Sequence, residues 1–270
     1  MREARPDGKM RSPDRTFREF GDRLFGYTDL VLATLFDAKP EYETVSWEGA
    51  LRDLEPLPGL AAEILGEPAL HRVEEETRRT LRRVHAENPR GAQWPADSLL
   101  ARCCYLVCRF LKPAVVVETG VAYGVSSAFI LTALEQNGHG VLHSADLPTL
   151  RRGHAGSWSV AVPETLKGRW TLHRGSSARV LPGLLERLGG VDVFLHDSLH
   201  TRRNMRREFE TVWPLLQIGG AIIADDVERN PAFGELRRKD PALWRVVRAW
   251  QERPLHDRAV PTATFGVALK

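Results

Sequence analysis

The spacing of hydrophobic and polar positions changes character near residue 113. Before it, from 16 to about 87, apolar residues recur every three or four positions: Phe17, Phe20, Leu24 and Phe25, then Leu30, Leu32, Leu35 and Phe36. That period predicts amphipathic helices, interrupted where prolines stand at 40, 56, 58 and 68. Residues 1–15 are polar and predict a disordered tail. Asn-Pro-Arg-Gly at 88–91 marks a turn. A further helix is predicted from about 96 to 111, stopped by Pro113.

Beyond Pro113, short apolar runs alternate with helical patterns. Strands are predicted over 114–118, 140–146, 170–174 and 191–196, and helices over 125–136, 178–188 and 201–216. The last helix sets Met205, Phe209, Val212, Trp213 and Leu216 on one face, with Arg202, Arg203, Arg206 and Arg207 off it. Gly219-Gly220 is expected to end that helix and open a fifth strand, and 264–269 reads as a final strand at a sheet edge. Alternating strands and helices imply a doubly wound, mostly parallel α/β sheet. Residues 16–95 would form a helical extension ahead of the 96–270 domain. Ligands of such sheets bind beyond the carboxyl ends of the strands. Glu118, Asp146, Asp197 and Asp225 each close a predicted strand and would share that edge.

Composition narrows the partners. Hydrophobic residues make up 43% of the 270, enough for a substantial core, and the net charge is only +3. Arginines are interleaved with acids rather than massed in a block, which argues against nucleic acid. No apolar run reaches the length of a membrane span, and the first 15 residues lack the apolar centre of a signal peptide. Cys103, Cys104 and Cys108 fall in one apolar helical segment. Cys104 and Cys108, one turn apart, could share a metal, but buried core thiols are the plainer reading. An odd count without paired spacing argues against a disulfide framework and suggests a reduced, cytoplasmic protein.

The candidate chemistry lies at two strand ends. Val-Asp-Val-Phe-Leu-His-Asp-Ser-Leu-His at 191–200 ends in Asp197 with His200 three residues on; Ala-Ile-Ile-Ala-Asp-Asp at 221–226 ends in Asp225 and Asp226. If the strands are neighbours, three carboxylates and an imidazole converge, a set suited to a hard divalent cation with a base beside it. Alone, Asp197 and His200 could merely order the loop before the next helix. Three carboxylates without a cation repel one another, which favours metal. His196 reads as core or support. Asn230-Pro231 suits a helix start.

A second element is the loop after the first of these strands, Glu-Thr-Gly-Val-Ala-Tyr-Gly-Val-Ser-Ser at 118–127. Gly120 and Gly124 permit a tight turn and close approach of a ligand to backbone amides. Their spacing is not that of a dinucleotide fingerprint, and Glu118 suits a cationic ligand better than a pyrophosphate. Asp146 stands 26 residues after Gly120, where an acid accepts hydrogen bonds from ribose hydroxyls; the plain alternative is a turn residue before Leu147-Pro148. Together they describe a nucleoside without a demanding phosphate, which S-adenosylmethionine fits better than NAD.

With Glu-Phe-Glu-Thr-Val-Trp-Pro-Leu-Leu at 208–216 and Gly-Gly-Ala-Ile-Ile-Ala-Asp-Asp-Val at 219–227, these motifs make the chain resemble class I S-adenosylmethionine-dependent methyltransferases. More narrowly, it is similar to the metal-dependent macrocin and mycinamicin O-methyltransferases over about 113–233. The resemblance implies a seven-stranded Rossmann-like sheet. It implies that Glu118, Gly120 and Gly124, with the loop residues Tyr123 and Ser126, hold the cofactor, and that Asp146 takes the ribose. It further implies Mg²⁺ on Asp197, Asp225 and Asp226, with His200 as general base. Tyr123 stands where a small residue is common, and would wall the cofactor pocket or reach the acceptor; Ser176 stands where many relatives carry an acid near the adenine.

The expected reaction is methylation of a hydroxyl on a small metabolite, a sugar or polyketide-type natural product. A cation would acidify that hydroxyl and His200 would take its proton. The alternatives are a hydroxylase or oxidoreductase on a related fold, a metal-independent methyltransferase, and a non-catalytic binding protein. The loop 149–163, with Gly153, Gly156 and Trp158, is long enough for a lid or a plain surface loop. The N-terminal helices are candidates for shaping the acceptor pocket or for homo-oligomerisation.

Overall fold

The protein is described by a computed structural model over residues 13–87, 97–147, 158–255 and 262–270. The N-terminal tail to residue 12, the turn at 88–91 and most of the 149–163 loop lie outside these residues. The chain runs through α1 (Pro13–Phe36), β1 (Thr44–Val45), α2 (Trp47–Leu54), α3 (Leu60–Leu65), α4 (Pro68–Glu87) and α5 (Ser98–Leu111). Prolines act as expected: Pro56 and Pro58 separate α2 from α3, and Pro68 opens α4 where its missing N–H costs nothing. Asp97 caps α5, accepting from the Leu99 and Leu100 amides at 2.8 and 3.0 Å.

Strands and helices then alternate: β2 (Val115–Thr119), α6 (Val125–Asn137), β3 (Val141–Asp146), β4 (Trp170–Arg174), α7 (Ser177–Leu188), β5 (Val191–His196), α8 (Arg202–Val212), β6 (Leu216–Asp225), α9 (Ala232–Glu235), β7 (Leu243–Trp250) and β8 (Thr262–Leu269). One sheet runs in the order β1-β7-β8-β6-β5-β2-β3-β4. All pairs are parallel except those of β8, which is antiparallel to β6 and β7. The reversal of order between β2 and β5 places the site, since β3 and β4 run outward to one side and β6 to the other.

Four expectations need correction. Among the described residues the sheet has eight strands rather than seven, because β1 from the N-terminal region adds to one edge beside β7. β7 was missed because Arg245 and Arg248 interrupt its apolar pattern. β8 is not an edge; it is inserted between β6 and β7, which explains why Ala263, Phe265, Val267 and Ala268 are all buried. Gly219-Gly220 does not end α8. That helix stops at Val212 because Pro214 has no N–H to continue it, and one 3₁₀ turn (Trp213–Leu215) follows. The two glycines instead lie inside β6, where its pairing with β5 shifts register. A Cβ on Gly220 would come within 2.6 Å of the Asp192 carbonyl, so the bulge requires glycine.

The core has two halves, one on each face of the sheet. α2 to α6 cover one face, with Leu70, Leu81, Tyr105 and Phe129 fully buried. α7, α8 and α9 cover the other, with Phe194, Phe209, Trp213 and Phe233. The predicted apolar face of α8 is buried throughout, and Arg202, Arg203 and Arg206 are exposed. The three cysteines are fully buried, and burial pushes their thiols far above the usual range, so they are core residues. α1 sits differently. Its acids face the body: Glu19 meets Arg174 at 3.0 Å, Asp22 meets Arg179 at 2.9 Å and Asp29 accepts from Thr201 at 2.7 Å. Its other side leaves Phe20, Tyr27, Leu35 and Phe36 more than 60% exposed. Among the described residues, no helix is long and apolar enough to cross a membrane.

Candidate active site

A cavity of about 860 Å³ opens at the carboxyl ends of β2, β3, β5 and β6. Gly120, Tyr123, Ser126, Asp146, Trp158 and Ser176 line one side; Asp197, His200, Asp225, Asp226 and Glu228 line the other. Phe25, Gly26 and Leu30 of α1 line the cavity as well. The parallel pairing of β5 with β6 aligns His196 with Ala224, so the next residue of each strand, Asp197 and Asp225, falls side by side.

The acids and the imidazole do converge. His200 Nε2 lies 3.6 Å from Asp197 Oδ1 and 4.0 Å from Asp225 Oδ2. Donor atoms of Asp197, His200 and Asp225 all lie within 4.8 Å of one another. Asp226 stands on the other side of the ring, 3.4 Å from Nδ1, and also meets Arg229 at 2.8 Å. Its φ of 51° is left-handed, which turns the chain sharply after β6. Burial, then the charges of Glu118 and Asp226, pushes the Asp197 carboxyl well above the usual range. Burial and the charges of Asp197 and Asp226 do the same to Asp225, against the opposing influence of His200. Two carboxylates forced together this way favour a cation between them. His200 Nε2 is buried without a hydrogen-bond partner, as an imidazole donor facing a metal position would be. The donor set fits a divalent ion.

Two further acids face this part of the cavity. Burial raises Asp97 to about 6, its helix-capping bonds opposing and the charges of Asp226 and Glu228 assisting. Burial also raises Glu228.

In the loop after β2, the glycines serve the fold first. Gly120 has φ +84°, and a Cβ there would fall 1.9 Å from the Asp197 carbonyl oxygen. Gly124 has φ +80° and starts α6; a Cβ would meet the Val162 side chain at 2.8 Å. The β2 loop therefore touches the acid-bearing end of β5 directly. Asp146 lines the cavity with its carboxylate held by the Leu147 amide at 2.8 Å and the Trp158 indole at 2.6 Å. Tyr123 is a buried wall residue whose ring edge meets His85. Ser176 opens α7, and its amide donates to Asp22 of α1 at 3.2 Å.

Glu118 stands apart from this group. It is fully buried and accepts from the hydroxyls of Ser126, Ser127 and Ser144 at 2.5, 2.6 and 2.7 Å. The structure does not bring its carboxylate to the cavity wall; only Ser126 reaches from that cluster to the surface. Burial raises its carboxyl and the three serines oppose the rise. Asn230 is architectural, as its sequence context suggests. Its Oδ1 accepts from the Ala232 amide at 3.0 Å, and its Nδ2 donates to the His200 carbonyl at 3.3 Å.

Sequence reasoning missed Trp158 as a partner of Asp146 and Glu208 beneath the acids; it offered the N-terminal helices as shapers of a pocket without saying which, and α1 is the one that lines the cavity. A signal for α1 exists: Glu19, Asp22 and Asp29 share a helical face opposite the apolar stripe, an acidic stripe that needs basic or hydroxyl partners.

Residues 117–227 of the chain match the model of a methyltransferase domain family. Among solved structures it is similar to the O-methyltransferase from Bacillus cereus in complex with SAH, at 15% identity and a TM-score of 0.53, over 82% of this chain and 100% of that one. It is also similar to the O-methyltransferase TomG from Streptomyces achromogenes, involved in tomaymycin synthesis and solved with SAM. There the identity is 18% and the TM-score 0.51, over 81% of this chain and 97% of that one. At these identities the likeness is one of fold. No curated protein matches the sequence.

Proposed function

We propose that this protein transfers the methyl group of S-adenosylmethionine to a hydroxyl of a small molecule, with a divalent cation such as Mg²⁺ bound at the strand-end acids. The observation that carries the reading is the cluster of Asp197, His200 and Asp225, facing the same cavity as Asp146 and the glycine loop. Relatives of this fold have been solved with SAM and SAH and bear the name O-methyltransferase, which supports both the cofactor and the oxygen acceptor.

Asp146 would accept from the ribose hydroxyls, while Gly120, Tyr123, Ser126 and Ser176 shape the pocket around the nucleoside. Glu118 would act from beneath, through the serines that it binds. A bound cation would lower the pKa of the acceptor hydroxyl and fix its direction toward the methyl group. Asp197 and Asp225 are the ligands that every arrangement of the site requires.

The resemblance assigns Asp226 as third ligand and His200 as base. The geometry favours another division, in which His200 supplies the third donor through Nε2 and Asp226 orients the ring from Nδ1. A metal-bound histidine commonly has its second nitrogen held by a carboxylate in this way. The unpartnered Nε2 is also what a base awaiting substrate would present, so the second reading keeps an observation of its own.

The test is methyl transfer from labelled S-adenosylmethionine to a panel of sugar and polyphenol hydroxyls, with and without EDTA. Metal-dependent turnover on a hydroxyl is expected. Undiminished turnover in EDTA would remove the cation, and failure to bind S-adenosylmethionine would overturn the reading. The apolar outer side of α1 supports the further expectation of self-association, for which solution mass is the measurement.

A further inference from the structure

We propose that Glu208 is the positioning residue of the Asp197–His200 turn, fixing the geometry with which it holds a divalent cation. The inference rests on the metal-dependent reading above. Glu208 lies on α8, 1% exposed, and does not line the cavity. Each of its oxygens accepts two hydrogen bonds. Oε2 takes Thr119 Oγ1 at 2.7 Å and His196 Nδ1 at 2.6 Å. Oε1 takes Ser198 Oγ at 2.7 Å and Asn204 Nδ2 at 2.9 Å.

These four donors belong to separate parts of the site. Thr119 ends β2 just before Gly120. His196 and Ser198 flank Asp197 on either side. Asn204 Nδ2 also binds the Leu199 carbonyl at 3.0 Å, the residue before His200. The His196 ring meets the His200 ring edge-on at 5.4 Å between centroids. One carboxylate therefore holds both neighbours of Asp197 and, through Asn204, the backbone leading to His200.

A buried carboxylate costs free energy unless its lone pairs are filled. All four sites here are occupied, by groups at the ends of β2 and β5, on the turn, and on the first turn of α8. A plain packing role would be served by leucine, which would leave Ser198, Asn204 and the His196 nitrogen without an acceptor. The arrangement is thus better accounted for by control of the turn than by filling of the core. Such outer partners of metal ligands typically carry about 10–100-fold in metal affinity.

The experiment is a Mn²⁺ titration of the full-length chain, followed by electron paramagnetic resonance, beside a titration with S-adenosylhomocysteine. Glu208→Ala is expected to weaken Mn²⁺ by at least about tenfold while S-adenosylhomocysteine affinity stays near that of wild type. Glu208→Gln keeps an acceptor for Ser198 and Asn204 and is expected to restore most of the Mn²⁺ affinity. If Glu208→Ala does not fold, Ser198→Ala takes its place, with a smaller loss of Mn²⁺ affinity expected and S-adenosylhomocysteine again unchanged. Equal weakening of both ligands would mean a structural role only and would overturn the proposal, as would unchanged Mn²⁺ affinity. A wild-type protein that binds no Mn²⁺ would instead overturn the metal reading, and this proposal with it.

Discussion

The indole nitrogen of Trp158 donates to Asp146 Oδ2 across 2.6 Å, and the Arg174 guanidinium lies 5.2 Å above the same indole. A nucleoside that reaches Asp146 through its ribose must share that oxygen with Trp158 or displace it. S-adenosylhomocysteine is therefore expected to change tryptophan emission. Trp158→Phe should remove most of that change and shift the dissociation constant by a measurable factor, roughly that of one charge-assisted hydrogen bond of about 1.5–3 kcal/mol at most. An identical titration in the variant would exclude Trp158 from the cofactor site.

Metal affinity separates the two roles open to His200. If its Nε2 is the third donor, His200→Ala loses Mn²⁺ affinity together with turnover. If the ring is a base, the variant keeps Mn²⁺ affinity and loses turnover by about 10²–10⁴-fold. Asp225→Asn is expected to lower both under either role, since Asp225 faces Asp197 directly.

Gly120→Ala tests the contact between the two halves of the site. The new Cβ would need space now held by the Asp197 carbonyl, at a φ of +84°. The backbone strain alone is on the order of 1–3 kcal/mol. A lowered melting temperature is expected, and also weaker Mn²⁺ binding, although Gly120 carries no metal donor. An unchanged Mn²⁺ constant would show that the β2 loop and the acids are independent.

Glu208 also predicts a pH dependence. Burial would raise its carboxyl, but the adjacent His196 imidazole and the bonds from His196 and Thr119 prevail and hold it at about 2. In the unfolded chain it titrates at the ordinary value of 4.5. The stability it contributes is thus fully present above pH 4.5 and is lost as pH falls through about 2. Urea unfolding between pH 7 and pH 3 should show a smaller decline in Glu208→Gln than in wild type. Parallel curves would argue against the depressed value.

Much of the strand and helix alternation after Pro113 could be read from the chain, because burial on both faces leaves runs such as Val115–Thr119 and Val191–His196 almost wholly apolar. β7 could not, since a strand near the sheet edge tolerates Arg245 on one face, paired with Asp53 of α2, and Arg248 exposed on the other. The acids at the strand ends were visible for the same reason as the strands. Their division of labour was not. Glu118 and Asp146 have the same position in sequence terms, yet three serines enclose the first and the second faces the cavity.

The sequence by itself determined most of the strands and helices after Pro113, the buried face of α8, and that Asp146, Asp197 and Asp225 each close a strand on one edge. These follow from apolar runs and the 3.6-residue helical period, which act over short distances. Tertiary structure alone decided the strand order, the insertion of β8, the placing of α1 over the cavity and the partners of His200. Those depend on contacts between residues far apart in the chain, such as Asp29 with Thr201, 172 positions away. No local pattern encodes them, because the free energy of each depends on what the rest of the fold brings to its side.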